Sequence, residues 1–332
     1  MNDPGSTVPA ATRRLGPDAS GLAEAAALLR AGGLVAFPTE TVYGLGADAT
    51  DTDAVTRIFA AKDRPRFNPL IAHLPEAEAA FAEGDFDEHA RRLAEAFWPG
   101  PLTLVVPAHP KTQISDLARA GLPSVALRVP AHPLAQALLA GVGRPVAAPS
   151  ANRSGRVSPT RADHVLADLA GRIGAVLDGG DTQVGVESTV VACLGGTPRL
   201  LRPGGVTRAA LRDILGLEPA VPASADADRP AGPGMLASHY APRARVRLNA
   251  AQIEPGEAVL LFGSARPAGH ERACAALNLS PSGDLAQAAA RLFGALRDLD
   301  ASGADTIAVV PIPAEGLGEA IGDRLARAAA PR

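Results

Sequence analysis

The residues best suited to chemistry lie in two neighbouring segments, PTETVYGLG at 38–46 and KDRPRFNPLIAH at 62–73. The second segment supplies Lys62, Arg64 and Arg66 within five residues. A proline between the two arginines stiffens the loop, so ordering it around an anion costs less entropy. Only two of the 32 basic residues are lysine, and Lys62 is one of them. The segment predicts a site for phosphate or carboxylate groups, with a solvated basic turn as the alternative.

Three polar segments each lie beside a short apolar run, a pattern typical of ligand loops at the edge of an α/β sheet. PTETVYGLG follows LVAF and carries the hydroxyls of Thr41 and Tyr43. SANRSG follows RPVAAP and carries Ser150 and Asn152, while the basic loop is followed by the apolar run PLIAHL. The three loops therefore predict a single cleft.

Two arginines interrupt or end apolar runs of strand length. Arg128 lies inside SVALRVP, and Arg202 ends the run PRLLRPG. A guanidinium at the rim of a buried strand needs an anionic partner, which is either a ligand or a structural carboxylate. Ser188 is a further candidate ligand group, and His73 and His239 are candidate acids or bases, although a lone histidine is more often structural.

Composition limits the classes of protein to consider. The chain has 332 residues, 47% of them hydrophobic, with a net charge of −3. That charge argues against a protein that coats nucleic acid or an anionic membrane, so any polyanion site is local. Cys193 and Cys274 have no metal-ligand spacing. Neither a signal peptide nor an apolar run of membrane-spanning length is recognisable, and we expect a soluble, cytoplasmic protein without membrane partners.

The order of predicted elements indicates an α/β protein with two domains. Residues 1–17 are predicted to be a mobile N-terminus, 18–215 a catalytic domain, 216–243 a linker and 244–332 a small α/β domain with a parallel sheet. STVVACL and PRLLRPG, joined by a Gly-Gly turn, make the first sheet mixed rather than parallel. In the last domain, ARVRL, EAVLLF and TIAVVPIP predict strands, with helices near 266–277, 284–299 and 315–329.

With these residues laid out, the chain resembles the threonylcarbamoyl-AMP synthases of the YrdC family, in their long form with an extra C-terminal domain. The motifs that carry the resemblance occur in the family's order: PTETVYGLG, KDRPRFNPLIAH, PSANRSGRVSPT, ESTVV and LLRPG, then HYAP in the linker. The resemblance implies a YrdC-like domain with a twisted mixed sheet and helices around a basic cleft. It also implies a small Rossmann-like parallel α/β C-terminal domain. Because the linker is too poor in apolar residues to fold by itself, we expect it to act as a lid over bound nucleotide.

The same resemblance implies an activity. L-Threonine, bicarbonate and ATP with Mg²⁺ would give threonylcarbamoyl-adenylate and pyrophosphate. The product would pass to a downstream tRNA threonylcarbamoyl-transferase complex that modifies the adenosine beside the anticodon, and a weak direct contact with tRNA is left open. By resemblance, catalysis involves Lys62 and Arg64, and threonine is held by Thr41, His73, Arg128, Ala148 and Ser188. The residues implied for ATP are Arg64, Asn68, Ser124, Ser150, Asn152, Ser158, Arg202 and Tyr240. Metal ligands are not assigned.

The chain departs from the family at two places. Many relatives carry Asp where this chain has Ala192, and basic or aromatic residues where it has Leu236, Ala237 and Ser238. Two other functions remain as alternatives. One is a double-stranded RNA or tRNA-binding module, which the negative charge and the 3% aromatic content disfavour. The other is a carbamoyltransferase or hydrolase that uses carbamoyl phosphate.

Overall fold

Two β-sheets organise the part of the chain that the computed structural model describes, residues 11–65, 68–221 and 239–331. The strands of the first sheet are β1 (Arg13–Leu15), β2 (Val35–Phe37), β3 (Gly44–Asp48), β4 (Ile71–His73), β5 (Leu102–Pro107), β6 (Ser124–Arg128), β7 (Val146–Ala147), β8 (Ala175–Leu177), β9 (Thr189–Ala192) and β10 (Arg199–Arg202). Those of the second are β11 (Arg245–Arg247), β12 (Ala258–Leu261), β13 (Ala275–Asn278) and β14 (Thr306–Val309).

The helices cover both sheets. They are α1 (Ala19–Arg30), α2 (Thr52–Lys62), α3 (Ala77–Phe81), α4 (Glu88–Phe97), α5 (Pro133–Val142), α6 (Ala162–Leu169), α7 (Arg208–Leu215), α8 (Leu285–Ala301) and α9 (Leu317–Ala329). Helix α2 shows how local sequence sets the bounds. The Asp51 carboxylate accepts from the backbone N–H of Asp53 and Ala54 at its start, and Asp63 ends it in the left-handed conformation. The helix therefore delivers Lys62 to the start of the basic loop.

The sheet topology confirms the predicted fold class. The first sheet runs β1-β8-β2-β3-β7-β4-β6-β5-β9-β10 and mixes parallel with antiparallel pairs. Strands β9 and β10 form the expected antiparallel hairpin. The second sheet runs β11-β14-β12-β13, and its pairs are parallel. Of the helices that the structure describes, none combines the length and the apolar character needed to cross a bilayer.

Three local predictions are wrong. Strand β1 (Arg13–Leu15) lies inside the segment 1–17 that was predicted to be a mobile N-terminus, because these residues pair in parallel with β8. The helix expected near 266–277 is replaced by a short 3₁₀ turn and by β13, because Gly269 adopts a positive φ of 78° and residues 275–278 pair with β12. The end of PTETVYGLG is strand β3 rather than loop. A Cβ on Gly46 would lie 2.9 Å from the Phe37 ring, so glycine permits this close pairing with β2.

The four-stranded unit packs on the larger one through α8 and α9. Gly185, with φ of 73°, lies so close to α8 that a Cβ would come within 2.4 Å of the Ala289 carbonyl oxygen. Tyr240 stacks on Phe293 of α8, with ring centroids 5.6 Å apart. Most of the predicted linker (222–238), the first ten residues and Arg66 lie outside the described residues.

Candidate functional site

The cleft and its basic loop

One cleft gathers most of the residues singled out from the sequence. It lies where the basic loop and the segments beside β4, β6, β7, β9 and β10 meet the chain that resumes at His239. Nine of the predicted site residues line it: Arg64, Asn68, His73, Arg128, Ala148, Ser150, Ser188, Arg202 and Tyr240. The remaining five, Thr41, Lys62, Ser124, Asn152 and Ser158, are buried beside or behind the lining.

Among the described residues of the basic loop, Arg64 is the cation that faces the cleft. Its Nη2 donates two long hydrogen bonds of 3.4 Å to the carbonyls of Asn68 and Pro69, and its buried Nε has no hydrogen-bond partner among the described residues. Burial lowers the pKa of Arg64 to about 10. A half-buried guanidinium with a buried, unused Nε donor is suited to an anionic ligand, because a ligand oxygen would supply the acceptor that the protein does not.

Lys62 has a different role from the one expected of a cleft cation. Its Nζ donates to the carbonyl of Ser150 at 2.6 Å and also to the carbonyl of Asn152. Burial, reinforced by Arg64, lowers the pKa of Lys62 well below its usual value. The Asn152 amide donates to the carbonyls of Arg153 and Arg156 at 2.7 and 2.9 Å. Both side chains therefore shape the loop that carries Ser150, rather than facing the cleft.

Arginines and histidines of the cleft

Arg128 meets a carboxylate that the sequence did not single out. Its Nη2 lies 2.7 Å from Glu40 Oε1, and both side chains are buried. Strand pairing places Arg128 opposite His73. A ligand carboxylate at Arg128 would thus share this guanidinium with Glu40, and the planar fork of arginine has enough donors for both.

Arg202 anchors the segment before β9. It donates through Nε and Nη2 to the Ser188 carbonyl at 3.1 and 2.9 Å, and through Nη2 to Ser188 Oγ at 3.1 Å. Ser188 Oγ also lies 2.7 Å from Thr103 Oγ1. Burial lowers the pKa of Arg202. Its guanidinium fixes Ser188 and leaves one nitrogen, Nη1, for a ligand.

The two cleft histidines are neutral at physiological pH. Burial, followed by Arg128, lowers the pKa of His73 to about 3, and its Nδ1 lies 3.1 Å from the Ile71 carbonyl. Burial likewise lowers the pKa of His239 to about 3. The positive charge of the cleft therefore comes from arginine and not from histidine, and neither ring is poised to exchange protons near pH 7.

Supporting side chains

Three other predicted residues lie behind the side chains that line the cleft. Thr41 Oγ1 lies 2.7 Å from Thr39 Oγ1, and Thr39 is the one that lines the cleft. Ser158 Oγ donates to Glu187 Oε1 at 2.5 Å. Ser124 begins β6, two residues before Ala126, which pairs with Ile71. These positions support the lining rather than form it.

Glu40, Glu187 and Arg324 are residues at the site that sequence reasoning did not single out. Glu40 lies inside PTETVYGLG, so its place in a motif was an available signal. Arg324 lies on α9, and nothing in the local sequence distinguishes it from its neighbours. Its Nε donates to Glu187 Oε2 at 2.6 Å, and the guanidinium lies 5.1 Å from the Tyr240 ring centroid. The C-terminal unit thus contacts two residues of the cleft wall, Glu187 and Tyr240, from behind.

Comparison with known proteins

The fold and the cleft define a class of α/β protein with a mixed sheet and an arginine-lined cleft. Family models narrow the class. Residues 27–204 match the model named for Sua5, YciO and YrdC and described as telomere recombination, and residues 206–330 match the C-terminal domain of threonylcarbamoyl-AMP synthases. The chain belongs to the threonylcarbamoyl-AMP synthase family of enzymes, in the long form with a Sua5-type C-terminal domain.

Individual relatives are similar to this chain along nearly its whole length. The threonylcarbamoyl-AMP synthase of Bacillus subtilis is 43% identical over 324 residues, which cover 94% of this chain and 93% of that protein. The synthase of Pyrococcus abyssi is also 43% identical, with 92% of both chains covered. The crystal structure of P. abyssi Sua5 complexed with L-threonine superposes with a TM-score of 0.86 at 37% identity, covering 96% of this chain and 97% of that one.

Proposed function

We propose that the protein is a threonylcarbamoyl-AMP synthase that makes threonylcarbamoyl-adenylate and pyrophosphate from L-threonine, bicarbonate and ATP. The observation that carries this proposal is the convergence of Arg64, Arg128 and Arg202 on one cleft. Arg128 and Arg202 are buried, Arg64 is half-buried, and each has donors to spare. Family membership supplies the reaction, and the P. abyssi relative whose structure holds threonine supports the amino acid.

The reaction has two bond-forming steps. The neutral amine of threonine attacks the carbon of bicarbonate and water leaves, which gives a carbamate. A carbamate oxygen then attacks the α-phosphorus of ATP, and the bond to pyrophosphate breaks. Both partners of the second step are anions, so the protein's main tasks are to position them and to offset their repulsion. Arg64 and Arg202 are assigned to the phosphates and Arg128 to the threonine carboxylate, because guanidinium forks suit both groups.

Mg²⁺ enters this proposal as the companion of ATP. Within the described residues no group of three or more His, Cys, Asp or Glu side chains is close enough together to hold a metal ion. The two carboxylates nearest the cleft, Glu40 and Glu187, are paired with Arg128 and Arg324. The side chains present therefore fit a metal held chiefly by ATP phosphates, which it would partly neutralise.

The wider role follows from the product. A threonylcarbamoyl-adenylate is an activated acyl donor, and we place the protein upstream of a complex that transfers this group to the tRNA adenosine beside the anticodon. A cytoplasmic location and a weak direct contact with tRNA belong to the same proposal.

A pyrophosphate-release assay tests the activity. Release should require threonine, bicarbonate and ATP together, and mass spectrometry should detect the adenylate. Equal release without threonine would contradict a synthase and indicate a simple ATPase. Transfer from carbamoyl phosphate, with no use of bicarbonate, would instead support the carbamoyltransferase alternative.

A further inference from the structure

Arg324 is an arginine of the C-terminal unit that reaches the cleft wall. It lies on α9 and is 0% exposed. Its Nε donates to Glu187 Oε2 at 2.6 Å, its Nη1 donates to the Pro203 carbonyl at 3.0 Å, and its guanidinium stands against the Tyr240 ring. Glu187 and Tyr240 both line the cleft. Arg324 therefore contacts the wall that any nucleotide in the cleft would meet.

Glu187 is an unfavourable residue to have in a site for phosphates. Its carboxylate would repel an anionic ligand, and it would compete for Arg202, which stands on the same wall. Burial by itself raises the pKa of Glu187, but Arg324, Arg202 and the Ser158 hydroxyl together outweigh burial and hold the pKa below its usual value. The carboxylate is therefore ionised, and Arg324 is its principal counter-charge.

We propose that Arg324 is a positioning residue for nucleotide binding: it holds the Glu187 carboxylate in a pair on the α9 side and so keeps Arg202 available for phosphate. This inference rests on the proposed function, since it takes ATP as the anionic ligand. It also gives the C-terminal unit a task in the reaction, because only a docked α9 supplies this charge to Glu187.

The groups around Glu187 define what happens when Arg324 is replaced. Arg202 faces it from β10, and the Ser158 hydroxyl donates to its other oxygen. His239 and Tyr240 are also close enough for charge interactions, and both are uncharged near pH 7. Without Arg324 the carboxylate has Arg202 as its remaining cation. It should then pair with Arg202 and compete with the nucleotide.

Binding of a non-hydrolysable ATP analogue, measured by isothermal titration calorimetry on the full chain, tests the proposal. Arg324→Met, which keeps the apolar stem, should weaken binding about 10-fold or more. Adding Glu187→Gln should restore most of the affinity, because glutamine still accepts from Ser158 but carries no charge. Arg208→Met is the matched control. It breaks another ion pair to α9, with Glu319 at 2.5 Å, away from the cleft, and should leave binding unchanged.

The pH profile separates a charge effect from a structural one. In Arg324→Met, loss of the principal counter-charge raises the pKa of Glu187 relative to the wild type, so acidification protonates the carboxylate more readily and should bring affinity back toward the wild-type value. A defect that is equal at every pH and not rescued by Glu187→Gln would overturn the proposal. If Arg324→Met does not fold, Arg324→Lys decides: binding within about threefold of wild type supports a charge role, and a 10-fold loss overturns it. A wild-type protein that binds no ATP analogue would instead count against the proposed function.

Discussion

Replacing Lys62 by Met should damage both stability and activity. The sequence places Lys62 in the charged cleft and so predicts lost activity with unchanged stability. In the structure Lys62 is instead 1% exposed, and its ammonium donates to the carbonyls of Ser150 and Asn152. Because these carbonyls belong to the loop beside the cleft, loss of the ammonium should loosen that loop and lower the free energy of unfolding.

The magnitude follows from two opposing contributions. Two buried carbonyls left without a donor cost about 1–3 kcal/mol each. Removing a buried ammonium also removes the cost of its desolvation, which by itself stabilises the fold. This stabilising contribution is limited, because burial lowers the pKa of Lys62, and the neutral amine still has two N–H groups to donate. We expect a net loss of about 1–3 kcal/mol, or roughly 2–6 °C in Tm.

Arg64→Met is the matched comparison. The hydrogen bonds of Arg64 are long, at 3.4 Å, and its charge has no carboxylate partner in the described residues, so its loss should leave Tm unchanged or slightly raised. Pyrophosphate release should fall by at least about 10²-fold in this variant. Calorimetry and the release assay on both variants give the result. A Lys62→Met protein as stable as wild type but inactive would refute the reasoning, and would mean that the ammonium serves the ligand.

Two further predictions follow from the cleft. Arg128→Lys keeps a charge beside Glu40 but loses the fork, so it should raise KM for threonine about 10-fold while KM for ATP stays within threefold; equal effects on both would make Arg128 structural. Burial lowers the pKa of the cleft histidines His73 and His239, and of His164 on α6 outside the cleft, to about 3, below the unfolded value near 6.5. Stability is therefore full above pH 6.5 and is lost as pH falls toward 3. The slope should reach about 1.4 kcal/mol per pH unit per histidine, and a urea midpoint that is unchanged between pH 7 and pH 5 would contradict this.

The local sequence pattern predicted the fold class and many of the residues that line the cleft. The sequence predicts a mixed first sheet because helices separate some strands, while a Gly-Gly turn joins β9 directly to β10. Both features can be recognised in short stretches of sequence. Strand β13 was missed because its sequence, AALN, has no strand character of its own, and its conformation depends on pairing with β12. From the sequence, Arg64, Ser150 and Ser188 are placed in one cleft because polar segments beside strands meet at the edge of a sheet, and all three line the cleft.

The amino-acid sequence by itself determined which residue types this protein brings to its cleft and which family it belongs to, because motifs and their order are properties of the chain. Only the tertiary structure decided which way each charge points. Lys62 and Arg64 are two residues apart, yet the first donates to backbone carbonyls and the second faces the cleft. Arg324 meets Glu187 across 137 positions of sequence. Such partners depend on burial and distance in space, which the packing of α9 against the larger sheet creates and which no local pattern encodes.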